Sequence, residues 1–106
     1  MPATPYIESE SKQPVGGTAY NYIFSRGVKG LVRTSKDNSQ IFVFLSFPDT
    51  TDLLTWEPKR VLPLLQQFGA QAVPSIDSWA LQIPASVAQQ ALQEIDAVIG
   101  ERRFYA

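Results

Sequence analysis

Asp49, Asp52 and Glu57 are the acidic residues whose type and spacing best suit metal chemistry. Magnesium takes hard oxygen ligands and keeps several waters. Asp49 and Asp52 follow an apolar run that reads as a central strand, a common position for a site in an open sheet. The competing reading is structural. Asp49 followed by Thr50 and Thr51 is a turn initiator, because such side chains hydrogen-bond the backbone just ahead. The chain has no histidine and no cysteine. That removes Ser-His and Cys-His nucleophiles, thiolate metal sites, disulfides and most zinc sites. Ser75, Ser78 and Ser86 therefore have no histidine base, and no spacing points to Lys29 or Lys59 as a substitute. No phosphate-cradling glycine motif occurs, so no cofactor, no metal and no catalytic residue is assigned.

A second constellation is suited to gripping rather than reacting. In YNYIFSRGVKGLVRTSKD, Tyr20, Tyr22 and Phe24 alternate with Asn21 and Ile23, and Arg26, Lys29, Arg33 and Lys36 follow with no acid among them. Aromatic rings can stack on exposed bases while Arg and Lys take phosphates, as many single-strand binders do. The same rings could instead fill a core or a subunit interface, with the basic stems lying over them and their charges in water. Trp56, in a loop before a helix, is a further candidate for a contact surface. Trp79 alternates in phase with Leu81 and Ile83 and reads as core. The candidate binding face is thus Tyr20, Tyr22, Phe24, Arg26, Lys29, Arg33 and Trp56.

The elements that must position these residues follow from pattern. At 106 residues with 44% apolar content the chain is sized for one domain. Residues 1–17 carry three prolines, two glycines and a Ser/Glu/Lys/Gln mixture, which predicts a flexible arm ahead of a domain over 18–106. TAYNYIFS and VKGLVRTS flank Arg26-Gly27 and predict a hairpin. With a two-residue loop, Tyr20 would face Arg33, Tyr22 would face Leu31 and Phe24 would face Lys29. Ile41 to Phe47 is apolar at every position but one, as expected of a central strand covered on both sides. Pro48 ends it.

A first helix is expected from about Arg60, with Val61, Leu62, Leu64, Leu65 and Phe68 as its stripe and Gly69 at its C′ position. That start keeps Pro63 among the residues whose N–H has no helical partner. A short strand at AQAV, a turn at PSID and an alternating strand at SWALQI come next. Ser86 with Gln89 forms a capping-box pattern. It leads into a helix striped by Ala88, Ala91, Leu92, Ile95, Val98 and Ile99, which Gly100 would close. RRFYA could add a last edge strand. The fold class expected is α+β: a ferredoxin-like (split βαβ) sheet with two helices, preceded by an N-terminal β-hairpin.

The run IFVFLSFPD, the helix ending LLQQFGA, then PSIDSWALQIP and an amphipathic helix resemble a small ferredoxin-like group over roughly the last two-thirds of the chain. That group includes the CRISPR-adaptation subunit, virulence-associated ribonucleases and a related endoribonuclease antitoxin. The resemblance implies a dimer, and in several members contact with nucleic acid. Nucleolytic members close the first strand with an aspartate after an aromatic residue. Here Phe47 matches the aromatic, but Pro48 comes next and Asp49 one later. The resemblance therefore implies fold and dimerisation ahead of cleavage.

Net charge is −1 with a sequence pI near 5.2, which makes the whole chain no polyanion binder. No apolar run approaches a membrane span, and the N-terminal residues lack the regions of a signal peptide, so the expectation is cytoplasmic with no membrane partner. Three functions follow in order. The first is a non-enzymatic binding or regulatory module, as a homodimer or as a subunit of a larger assembly with a protein partner. The second is a single-stranded nucleic-acid binder using the hairpin. The third is a metal-dependent nuclease centred on Asp49.

Overall fold

A computed structural model describes residues 3–14, 16–74 and 79–105. Six strands form one open antiparallel sheet: β1 (Tyr6–Lys12), β2 (Thr18–Ile23), β3 (Lys29–Thr34), β4 (Gln40–Ser46), β5 (Gln71–Pro74) and β6 (Trp79–Pro84). Their order across the sheet is β1-β2-β3-β4-β6-β5. Helix α1 (Thr50–Thr55) and helix α2 (Pro58–Val61), continued as a 3-10 helix over Leu62–Phe68, lie between β4 and β5. Helix α3 (Ala88–Gly100) follows β6. The architecture is α+β.

One sheet face carries the core. Val28, Val32, Ile41, Val43, Leu81 and Ile83 meet Leu92, Ile95, Val98 and Ile99 of α3, with Val61 and Leu65 from the segment before β5. Trp56, Phe47 and Phe104 close one end of this core as an aromatic cluster with ring centroids 4.9–6.0 Å apart. Among the described residues, no helix is long and apolar enough to cross a membrane.

The structure departs from the sequence expectation at several points. Tyr6–Lys12, expected within a flexible arm, pairs with β2 as an edge strand. Its Glu, Ser and Lys side chains give no hydrophobic signal, yet an edge strand needs only a neighbour with free backbone groups. Helix α2 starts at Pro58 rather than near Arg60. Pro63 then falls where its missing N–H interrupts α-helical bonding, and the chain continues as a 3-10 helix. Gly69 ends that helix in the left-handed region at φ 72°, as expected.

Ser86 does not cap α3. A short 3-10 turn over Ala85–Val87 leads into the helix, and no side chain caps it. Arg102, at φ 51°, supplies the left-handed turn after α3 that Gly100 was expected to provide. No strand forms over 102–105, and Phe104 is instead buried in the aromatic cluster. The place beside β4 that a last strand would have taken is occupied by β3.

The hairpin register also shifts. Past the ends of β2 and β3 the Phe24 N–H donates to the Val28 C=O at 2.8 Å, which leaves three residues, Ser25–Gly27, in the loop they enclose. Tyr20 therefore faces Val32, and Tyr22 faces Gly30. A one-residue slip turns each side chain over relative to its expected partner. Gly30 is required there, because a Cβ would lie 2.4 Å from the Phe24 ring.

Candidate functional site

The acidic trio is dispersed among structural tasks. Asp49 is the N-cap of α1, its carboxylate accepting from Thr51 N–H at 2.8 Å and Asp52 N–H at 3.1 Å. Glu57 pairs with Lys59 and Arg60, each at 3.6 Å. Asp52 is 1% exposed. It lies 2.6 Å from Arg26 and 3.5 Å from Arg102, and accepts the Tyr105 hydroxyl at 2.5 Å. Burial pushes its pKa up, but the Tyr105 hydrogen bond and the Arg26 and Arg102 guanidiniums outweigh that and hold the carboxyl below its ordinary value. The same hydrogen bond raises the Tyr105 pKa. Among the described residues, no three His, Cys, Asp or Glu side chains come together as a metal site. Ser86 lies exposed at the start of the α3 segment. Ser75 and Ser78 fall outside the described residues.

Of the residues expected to form one binding face, the structure separates most. Phe24 is buried, and Tyr20 and Tyr22 are half-buried against the core on the helix-covered face. Tyr22 stacks on Phe24 at 5.9 Å, and burial raises its pKa. Lys29 and Arg33 project from the opposite face, paired across strands with Ile23 and Ala19. Arg26 belongs to neither face. It sits in the β2–β3 loop bound to Asp52, and its Nη1 donates to the Ile99 carbonyl at 3.4 Å. Trp56 is buried in the aromatic cluster.

The register that separates those residues assembles others. On the face away from the helices, Lys29 pairs with Ser46, Leu31 with Phe44, and Arg33 with Phe42. Ile23, Leu31, Phe42 and Phe44 thus share one surface at the middle of the sheet, and Asn21, Ser46 and Gln82 lie around them. All four apolar side chains are half-buried, yet none belongs to the core or packs against it. The buried apolar residues of α2, its 3-10 extension and α3 all serve the other face. The apolar run in β4 was visible in the sequence, but the coverage expected on both sides is present on one. A depression of about 490 Å³ on this surface is lined by Ile23, Leu31 and Phe44, with Lys29 and Glu8 at its margin.

Two other surfaces compete with it. Leu53 and Leu54 of α1 are 52% and 72% exposed. A cleft of about 650 Å³ opens between the first half of α3 and the β1–β3 end of the helix-covered face.

Comparison with family models, with curated proteins and with solved structures finds no match. The functional reading rests on the molecule's own geometry.

Proposed function

We propose that this protein is a non-enzymatic binding module that acts as a homodimer, with the uncovered sheet faces of two copies stacked on each other. One observation carries the reading. The central strand β4 is apolar on both sides, and Phe42 and Phe44 point to the side that no described helix covers. An antiparallel sheet with one wet face ordinarily alternates apolar-in with polar-out. Here the outward positions of β3 and β4 hold Leu31, Phe42 and Phe44, and a second layer relieves that exposure.

Size favours a second copy as that layer. Six strands spaced ~4.8 Å apart, each about six residues long at ~3.3 Å per residue, present roughly 550 Å². Two such faces bury about 1,100 Å² in all, at the low end for a specific interface. If about 60% of it is apolar at ~25 cal/mol per Å², the gain is of order 15 kcal/mol, against an association cost of 4–15 kcal/mol or more. The difference runs from about zero to about 11 kcal/mol, and a dimer of micromolar stability, about 8 kcal/mol, lies within it. Lys29 and Arg33 stand near opposite ends of β3. In a face-to-face stack their charges reach the rim while Leu31 and Phe44 fill the centre.

Charge counts against single-stranded nucleic acid as the partner. Arg26 is neutralised by Asp52, and Lys36 is followed by Asp37. Lys29 and Arg33 remain on the face, and two phosphate contacts give a salt slope of only about −1.4. The order β4-β6-β5, with β6 between and antiparallel to the other two, supports reading this half as a split βαβ unit in which the hairpin takes the fourth strand's place.

Light scattering on eluting protein tests the proposal. Wild type is expected as a dimer at about 50 µM, and Phe44→Asp as a folded monomer, since a charge at the interface centre is strongly disfavoured. A wild type that stays monomeric at about 1 mM removes the reading. A low-salt gel shift of wild type that Lys29→Glu with Arg33→Glu abolishes would replace it with nucleic-acid binding.

A further inference from the structure

The cleft between α3 and the β1–β3 end of the sheet has a composition that no part of the dimer reading uses. On the sheet side it is lined by Tyr20, Tyr22, Val32 and Ile41, and on the α3 side by Ala88, Gln89, Leu92 and Gln93. Its volume, about 650 Å³, falls within the range of small-molecule sites, roughly 300–1,000 Å³. The physical origin of the space is plain. Helix α3 packs over β6 and the 3-10 segments rather than over β2 and β3, and the cleft wall there is made by the short side chains of Ala88 and, from the turn before the helix, Ala85. Tyr20 and Tyr22 stand on core-facing positions, half-buried at the cleft wall, and they meet edge to face at 6.4 Å.

Three features define the ligand. Among the described residues, no Lys, Arg, Asp or Glu lines the cleft. An ion entering it would lose water without gaining a counter-charge, so the walls select against charge. Its aromatic walls are held rather than loose, because Tyr22 is stacked on Phe24, whose ring lies over Gly30. Preorganised rings favour a flat aromatic partner by offset or edge contact. Polar groups are few and placed at the walls: the amides of Gln89 and Gln93 and the tyrosine hydroxyls, Thr34 being already bonded to Thr18. Such groups orient a ligand through one or two hydrogen bonds without demanding charge.

We infer that this cleft is a binding site for an uncharged, planar aromatic or heteroaromatic small molecule, held between Tyr20, Tyr22 and Leu92 and oriented by Gln89 or Gln93. The site lies on the opposite sheet face from Phe42 and Phe44, so it is independent of the dimer.

Backbone-amide NMR titration with three probes of one shape tests this: 2-naphthol, 2-naphthalenesulfonate and 2-naphthylmethylammonium. Neutral 2-naphthol is expected to shift Tyr22, Val32, Ala88 and Leu92 saturably in the millimolar range or below, with both charged probes weaker by about fivefold or more. Ala88→Trp fills the space and should weaken naphthol binding at least about tenfold while the spectrum stays dispersed. If that variant does not fold, Gln89→Ala with Gln93→Ala serves instead, and should weaken naphthol binding while the spectrum stays dispersed. The monomeric Phe44→Asp variant should bind naphthol as wild type does, so failure of the dimer and failure of the cleft are read separately. Equal affinity for all three probes, shifts centred on Phe42 and Phe44, or no shifts at about 5 mM would each overturn the inference.

Discussion

Asp52 should anchor the β2–β3 loop, and replacing it with asparagine isolates its charge with little change of shape. The carboxylate meets Arg26 at 2.6 Å, the Tyr105 hydroxyl at 2.5 Å and Arg102 at 3.5 Å, joining α1 to the hairpin loop and to the turn after α3. A hydrogen bond to a charged group contributes about 1.5–3 kcal/mol. Breaking a fully buried pair costs 3–5 kcal/mol, but the Arg26 side chain is 24% exposed, and water offsets part of its loss. Arg102, half exposed, adds under about 1 kcal/mol. These terms overlap, and Asn keeps one acceptor, so Asp52→Asn should cost about 2–4 kcal/mol in urea unfolding and lower Tm by roughly 10–20 °C.

The effect of pH has a definite sign. The native carboxyl is held below its usual pKa, so its contribution is fully present above about pH 4 and is lost as pH falls through the lowered value. The difference between wild type and Asp52→Asn should be flat from about pH 5 to 8 and shrink toward pH 2.5. A cost under about 0.5 kcal/mol, or a gap unchanged from pH 7 to about pH 2.5, would refute the reasoning.

Two further outcomes are open to direct measurement. Gly30→Ala places a methyl 2.4 Å from the Phe24 ring and 3.2 Å from Leu45. It should destabilise by about 1–3 kcal/mol in urea unfolding, and a neutral effect would mean that Phe24 is free to move. Asp37, bonded by the Ser39 and Ser35 hydroxyls and by Ser39 N–H, should titrate at about 2 by carboxyl NMR and move up toward its ordinary value in Ser39→Ala.

Much of the framework was legible because periodicity reports it. The alternation of Trp79, Leu81 and Ile83 places two buried residues, and Trp79 against them, on the core face. The stripe of α3 from Leu92 to Ile99 is likewise buried as its spacing predicts. What the sequence withheld depends on counts of one. A three-residue rather than two-residue loop at Ser25–Gly27 moves Lys29 and Arg33 away from the tyrosines and puts Arg33 beside Phe42. The polar strand β1 carried no hydrophobic pattern, and its pairing with β2 is a matter of backbone. Arg26 looked like one of four equivalent cations until the fold brought Asp52, distant by 26 positions, to within 2.6 Å. The outer face was half visible: an apolar β4 states that both sides want cover, but not that one side lacks it within the described chain.

The most direct test of the homodimer is isotope-filtered NOE spectroscopy on a mixture of carbon-13-labelled and unlabelled protein at about 0.5 mM, well above the dissociation constant expected of a micromolar dimer. Stacked sheet faces predict intermolecular NOEs from the Phe42 and Phe44 rings to the Leu31 and Ile23 methyls of the other copy, lost in Phe44→Asp. No intermolecular NOEs at that concentration, or NOEs confined to Leu53 and Leu54 of α1, would contradict it.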